Sequence, residues 1–531
     1  MVKEVFLGEE KICTPKVILL HTALILISFA FICIFSYSTS FLYPFYGGDS
    51  AVFQIISRSW LEGFLPYKDF FDHKGPLLFL INALGYVIYP RAGIMIPQTI
   101  FMYISLLLIW RMLGLYFSFK GKVLCFILTI IYFVSHYGEG NNPGEYSVVF
   151  LSAAAYCFMR SLKENKFLPL YGFIYGLGFG ASVLLRASNA MPLCCFAFLS
   201  AIFLFQDRAF KNLWQNFLSF CMGFVIICLP FVIYFAAHDA LYDALYGTIL
   251  LNTKYALNAS FHKESMTYFV TVALNFFPLF LMIPASLFEI LTDKRNKIAW
   301  SGLFSGVMLL IMLMKLRQYP HYAMIIVPIF PLLFVVVRNA IKDFIRWIKQ
   351  IWQIRGISFK RILCKFFLPI FILPVIFYTK FCLEFYLSFF GYPFSAKIVE
   401  EEANYMQESA SMQELKEIIP EHERNSFVTW GLSGHISRWI LETDIKPRNR
   451  FFFNQKSFGM LDPNVRQEWL DGVKNEHPLW ILYGGKLKKE SPFIFIKLDD
   501  SEIENFLEEK YVFKGEVQTH SQDLKLYRLK E

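Results

Sequence analysis

The strongest constraint on this chain is a succession of apolar runs of about 18 residues or more, separated by short polar connectors. A run of that kind satisfies its backbone inside a bilayer as a helix. The chain therefore reads as an α-helical polytopic membrane protein. Composition agrees: 56% of its residues are hydrophobic and 18% are charged, where soluble globular chains carry about 25% charge. The spacing predicts about eleven spans, near 17–37, 93–116, 122–138, 146–162, 167–185, 189–206, 213–236, 267–291, 298–314, 320–338 and 366–388. The first run, Val17–Tyr37, follows Lys11 and Lys16 and lacks a small-residue cleavage pattern, so it reads as a retained anchor.

Lysine and arginine orient the connectors. Lys120 and Lys122, Lys163 and Lys166, Arg208 and Lys211, Lys294 to Lys297, and the basic run from Arg338 to Lys365 are expected on the cytoplasmic side. That last run also has the pattern of an amphipathic helix lying on the inner surface. The net charge of +9 thus reports topology and not nucleic-acid binding. Parity then puts the N-terminus inside. Segments 38–76, 139–145, 186–189, 237–265 and 315–319, with the tail, fall outside. Leu77–Tyr89 is apolar but only about 13 residues long, too short to span comfortably, and reads as re-entrant or tilted. All ten cysteines precede residue 383 without a Cys-x-x-Cys pair, as expected of small core hydrophobes and not of disulfides or zinc ligands.

Two domains are expected: a transmembrane domain over 1–391, with its first outer loop at 38–76, and a soluble extracytoplasmic α/β domain over 392–531. The tail begins with a charged helical stretch, Ile398–Ile419. Strand-like runs follow at Ser426–Trp430, Leu479–Tyr483, Phe493–Lys497 and Leu524–Leu529, with helical segments at Pro463–Asn475 and Asp500–Lys510. No glycine-rich phosphate loop follows any of these strands.

The chemistry-bearing residues concentrate in the first outer loop. Tyr43–Pro76, YPFYGGDSAVFQIISRSWLEGFLPYKDFFDHKGP, sets Asp49, Arg58, Asp69, Asp72, His73 and Lys74 among aromatic side chains. Ionisable groups beside a bilayer are costly to desolvate, and a dense set of them marks a site. Asp49 follows Gly47–Gly48, where the backbone can approach a ligand closely. Its carboxylate suits a general base for an attacking hydroxyl, and equally an N-cap for a helix over Ser50–Glu62. Asp72 and His73 are donor types that bind divalent metals, and Lys74 is a compact charge suited to phosphate. The same three residues also read as a charge cluster anchoring a helix end. Glu145 is either a ligand group or a first-turn acid favoured by the helix dipole. Arg186 in LLRASNAMP, and Lys315, Arg317 and His321 in KLRQYPHY, are outer polar groups. The arginines either snorkel to the interface or grip a phosphate with two N–H groups. Trp60 and Tyr67 can stack on sugar faces or anchor the loop at the interface.

These residues carry a family resemblance. GGDSAVF followed by LEGFLPYKDFFDHKGPLLF resembles bacterial members of the dolichyl-phosphate-mannose–protein mannosyltransferase-like group of GT-C glycosyltransferases. GEYS, LLRASN and RQYPHY are weaker echoes, and the aminoarabinose lipid A transferases are more distant relatives. The resemblance covers roughly residues 17–340. It implies a GT-C fold in the bacterial cytoplasmic membrane. It also implies transfer of a hexosyl or pentosyl group, with inversion, from a polyprenyl-phosphate carrier to a lipid, glycan or protein acceptor on the outer face. By the resemblance Asp49 is the base, and Lys74 serves the carrier phosphate with Arg186 or Arg317. From their positions, and not from the resemblance, Glu145, Trp60, Tyr67 and His321 are expected to bind the substrates. Relatives place a second acid where this chain has Ser50, and Glu-Lys-Pro where it has His73, Lys74, Gly75 and Pro76, so Lys74 is the better match. A divalent metal at Asp72 and His73 stays open. Two other readings are a transporter or flippase of a lipid-linked saccharide, and an O-antigen-type polymerase or ligase using a lipid-diphosphate donor. A transporter places polar groups at mid-membrane, whereas here they gather outside, which favours the enzyme.

Overall fold

The computed structural model describes residues 14–258, 276–315, 320–355, 393–432, 437–442, 447–453, 455–487, 501–519 and 522–531. Helices dominate its first three quarters: α1 (Pro15–Phe35), α2 (Gly48–Leu61), α3 (Pro76–Ile88), α4 (Met95–Gly114), α5 (Phe119–His136), α6 (Pro143–Glu164), α7 (Pro169–Arg186), α8 (Met191–Gln206) and α9 (Phe210–Ala237). A short helical stretch from Leu241 to Asn258 follows, interrupted by a π turn at Tyr246–Leu250. Then come α10 (Phe277–Thr292), α11 (Lys297–Lys315), a 3-10 segment (Pro320–Ile329) and α12 (Phe330–Arg355). Proline sets several starts. Pro15, Pro76, Pro143 and Pro169 each open a helix, where the missing N–H has no intrahelical partner to lose.

Among the described residues, six stretches are long and apolar enough to cross a membrane. One of them, Pro169–Gln206, is broken after Arg186 by a 3-10 turn, Ala187–Ala190, into α7 and α8. α3 has 13 residues, matching its short apolar run. The expected span at 366–388 lies outside the described residues, as do residues 356–365 of the basic run. The seven described cysteines are all free, and none is exposed.

The C-terminal part contains α13 (Pro393–Ile418), β1 (Phe427–Trp430), α14 (Ser437–Glu442), α15 (Gln455–Leu461), α16 (Asn464–Glu476), β2 (Trp480–Leu487), α17 (Ser501–Lys510), β3 (Tyr511–Gln518) and β4 (Gln522–Leu529). The sheet order is β1-β2-β4-β3, with β1 parallel to β2 and the other pairs antiparallel. Three strand-like runs of the sequence became β1, β2 and β4. Phe493–Lys497 lies outside the described residues. β3 was not anticipated.

Two cores matter for the site. The larger unites α1, α4 to α8 and α10 to α12, with Ile32, Ile109, Leu151, Leu193, Met282 and Val336 all buried. The second joins α2 and the following loop to the C-terminal part: Val52, Phe53, Phe71 and Phe79 pack in one cluster with Leu415, Phe427, Phe452 and Leu526. The first outer loop and the tail therefore share one apolar core.

Candidate active site

The site begins at the N-terminus of α2. Gly47 is the N-cap residue and has no side chain to cap with, so the first N–H groups of the helix need an outside acceptor. Glu139 supplies it. Its Oε2 accepts from Gly48 N at 3.0 Å and its Oε1 from Ser50 N at 3.0 Å. A Cβ on Gly47 would stand 2.5 Å from that carboxylate, so glycine here is what lets Glu139 seat. Asp49 is thereby released from capping. It lies in the first turn of α2, exposed, and makes no capping bond. The helix-cap reading of Asp49 is corrected: the capping carboxylate is Glu139. Glu139 lies in the segment 139–145 expected outside, and no motif around it signals a cap for a helix about 90 residues earlier.

The loop between α2 and α3 brings Asp72, His73 and Lys74 to the same place. Asp72 is buried, and its Oδ1 accepts from His73 N at 2.7 Å and lies 2.9 Å from His73 Nδ1. Lys74 Nζ stands 2.9 Å from His73 Nε2 and 3.9 Å from Asp72 Oδ1. A neutral imidazole with its hydrogen on Nδ1 leaves Nε2 to accept from the Lys74 ammonium. Burial disfavours the imidazolium, and the Lys74 ammonium disfavours it further, so His73 is held below its ordinary value; Asp72 and Asp49 oppose this more weakly. Burial alone would raise Asp72, but Lys74 and His73 outweigh it and bring the carboxyl down to about 2. Asp49 is thus close enough to act electrostatically on His73. Lys74 also lies over the ring of Phe53, at 5.7 Å from the centroid, one turn along α2 from Asp49.

A divalent metal does not fit Asp72 and His73. The Lys74 ammonium already occupies Nε2 of His73, stands 3.9 Å from Asp72 Oδ1, and would repel a cation. Among the described residues no group of three or more His, Cys, Asp or Glu is arranged to hold a metal ion.

Gly75 ties this cluster to Arg186. Gly75 N donates to Leu185 O at 3.0 Å, and a Cβ on Gly75 would stand 2.0 Å from Leu184 O, so only glycine permits this contact. The end of α7 thus runs against the start of α3, with Arg186 and Lys74 adjoining the two bonded residues. Arg186 is buried. It donates Nε and Nη2 to Asn189 Oδ1 at 2.9 and 2.7 Å, and its guanidinium lies 4.0 Å over the ring of Tyr322. His321, next to Tyr322, lies beside Gly138, where an added Cβ would stand 3.5 Å from the His321 Cβ. Arg317 lies outside the described residues.

Three expected site residues turn inward. The Glu145 carboxylate is enclosed by Gln98 Nε2 at 3.1 and 3.2 Å, the Tyr137 hydroxyl at 2.5 Å and Asn141 N at 2.8 Å. It fixes Asn141 in the left-handed region, φ 59°, and Asn141 in turn bonds Ser50 and Asn82. Trp60 donates to the Tyr234 hydroxyl at 2.7 Å and stacks on Phe235. Tyr67 is fully buried between Phe79 and Phe235, so its ring offers no open face to a sugar.

The model of the dolichyl-phosphate-mannose-protein mannosyltransferase family matches residues 73–235. The fold is similar to the crystal structure of ArnT from Cupriavidus metallidurans bound to undecaprenyl phosphate, with a TM-score of 0.56 at 11% identity over 96% of this chain and 97% of that one. The fold is thus similar to that of ArnT, and residues 73–235 resemble the mannosyltransferase family. A second structure, the archaeal oligosaccharyltransferase AglB from Archaeoglobus fulgidus in complex with an inhibitory peptide and a dolichol-phosphate, aligns at a TM-score of 0.45 and 11% identity, covering 88% of this chain and 69% of that one. No curated protein sequence matches this chain. The family match includes His73, Lys74, Glu139 and Arg186 and begins beyond Asp49.

Proposed function

We propose that this protein transfers a sugar from a polyprenyl-phosphate carrier to a hydroxyl acceptor on the outer face of the bacterial cytoplasmic membrane, with inversion at the anomeric carbon. The observation that carries this reading, on a GT-C fold, is an exposed carboxylate freed from capping on the helix whose Phe53 lies under the Lys74 ammonium. Asp49 stands free of capping because Glu139 takes that task, and Lys74 and Arg186 each adjoin, along the chain, one residue of the bonded Gly75–Leu185 pair. Asp49 accepts the acceptor's proton as its oxygen forms the bond to C1. The C1–O bond to the lipid phosphate breaks, and the electron pair stays on the leaving phosphate. Lys74, with Arg186 behind it, neutralises that developing charge. His73 remains neutral and holds the Lys74 ammonium by one hydrogen. No step uses a metal.

The tail on the outer face, the basic part of α12 on the inner face and the two-domain division at about residue 392 belong to the same proposal. The test is Asp49→Asn, which keeps the size of the side chain and loses the base. Transfer should fall by about 10²–10⁴ while binding of polyprenyl phosphate persists. Turnover within a few-fold of wild type would remove Asp49 from the reaction.

A further inference from the structure

The residues between Leu61 and Pro76 form no helix or extended strand, yet they carry Asp72, His73 and Lys74. Ordering such a loop costs backbone entropy at every residue, so something must hold it. The C-terminal part packs Phe451, Phe452 and Phe458 against Phe70, Phe71 and His73, and its polar hold on the loop is Arg450. Arg450 O accepts from Phe71 N at 2.9 Å, and Arg450 Nε donates to Tyr67 O at 2.6 Å. Its guanidinium is fixed in turn by Asp243 Oδ1 at 2.8 Å and by both Glu468 oxygens at 3.3 Å, and it lies over the rings of Phe71 and Phe451 at 5.3 and 5.1 Å. Tyr67 sits in the left-handed region, φ 71°, where a residue with a side chain is strained. From there its hydroxyl donates to Lys74 O at 2.7 Å. An unbroken chain of contacts thus runs from the tail to the cation: Arg450 holds Tyr67, and Tyr67 holds Lys74.

We infer that Arg450 is a positioning residue for Lys74, so that the C-terminal part completes the site and is no detached appendage. Arg450 touches none of the reacting groups. It sets where the Lys74 ammonium lies by fixing the backbone on the N-terminal side of the Asp72–Lys74 cluster. Asn252 Nδ2 on His73 O at 2.6 Å and the Gly75–Leu185 bond hold the rest. The part of this inference that concerns donor binding rests on the proposed function; the geometric part does not.

The test therefore uses two readouts on the full chain in nanodiscs. The first is acylation of Lys74 by an amine-reactive reagent, mapped by mass spectrometry; Lys74 is buried in the native protein. The second is binding of undecaprenyl phosphate without a sugar. In Arg450→Met, which keeps an unbranched stem and loses the donors, Lys74 should label at least about ten times faster and the lipid should bind roughly tenfold more weakly, the scale of one lost charge-assisted hydrogen bond. Arg450→Lys should restore part of both, since it keeps charge but not the fork. Lys254→Met is the control. It breaks a separate contact between the tail and the membrane part, Lys254 Nζ to Asp462 Oδ2 at 2.7 Å, and should leave Lys74 labelling unchanged. If Arg450→Met does not fold, Asp243→Asn, which loosens the same guanidinium, carries the test.

Unchanged Lys74 labelling in Arg450→Met would overturn the inference. Equal increases in Arg450→Met and Lys254→Met would also overturn it, because docking of the tail in general would then be the cause. If the wild type binds no undecaprenyl phosphate while Arg450→Met still exposes Lys74, the positioning role stands and the donor reading falls.

Discussion

Gly47 and Glu139 make an unusual pair, because a substitution at one should change sign when the other is removed. Glu139 accepts two N–H groups at the start of α2. Hydrogen bonds to a charged group contribute about 1.5–3 kcal/mol each, and loss of a helix N-cap costs about 0.5–2 kcal/mol. Because part of that is recovered by water at a half-exposed site, Glu139→Ala should destabilise by about 2–4 kcal/mol. Gly47→Ala evicts the same carboxylate by another route, since the new Cβ would lie 2.5 Å from it. Its backbone, φ −72° and ψ 157°, suits alanine without strain, and replacing glycine there stiffens the unfolded chain by about 0.4–1 kcal/mol. Gly47→Ala alone should therefore cost about 1–3 kcal/mol. In the Glu139→Ala background there is no carboxylate left to evict, so only the unfolded-state gain remains. The same substitution should then stabilise by about 0.4–1 kcal/mol. The assay is the apparent Tm of the four proteins in one detergent. Equal shifts for Gly47→Ala in both backgrounds would show that Glu139 does not cap α2 and that Asp49 owes it nothing.

Lys74→Ala should weaken binding of a polyprenyl-phosphate sugar by about ten- to a hundredfold, the loss of one charge-assisted contact, with partial recovery in Lys74→Arg; if Arg186→Ala is the damaging variant and Lys74→Ala binds normally, the phosphate lies at Arg186 instead. Asp72 carries a pH signature. Its folded value of about 2 lies below the ordinary 3.8, so its contribution to stability is present above about pH 4 and is lost as pH falls toward 2, an effect of about 2 kcal/mol. Asp72→Asn should flatten the drop in apparent Tm over that acid range, and an unchanged acid profile in the variant would place the titration elsewhere.

The sequence by itself determined the membrane helices, because a run of about 18 apolar residues has few other ways to satisfy its backbone in lipid. It also located the loop that carries Asp49 and Lys74, and the start of α2 to within two residues of Gly48. Tail strands β1, β2 and β4 were legible from apolar runs, as in the alternating burial of β4. β3 was not. It forms one edge of the sheet, and most of its residues between Tyr511 and Val517 are exposed or half-exposed, which leaves no two-residue period to read. Tertiary structure alone decided the identity of the capping acid, since Glu139 reaches α2 across 91 and 89 positions of sequence. It alone joined Gly75, next to Lys74, to Leu185, next to Arg186, turned Tyr67 and Glu145 inward, and set Arg450 on a loop residue 383 positions away. Periodicity records which face of an element is apolar, and motif spacing records what is near along the chain. Which distant carboxylate or guanidinium meets a helix end is fixed only when the elements pack, because the groups they leave unpaired must then find partners among whatever the packing brings within about 3 Å.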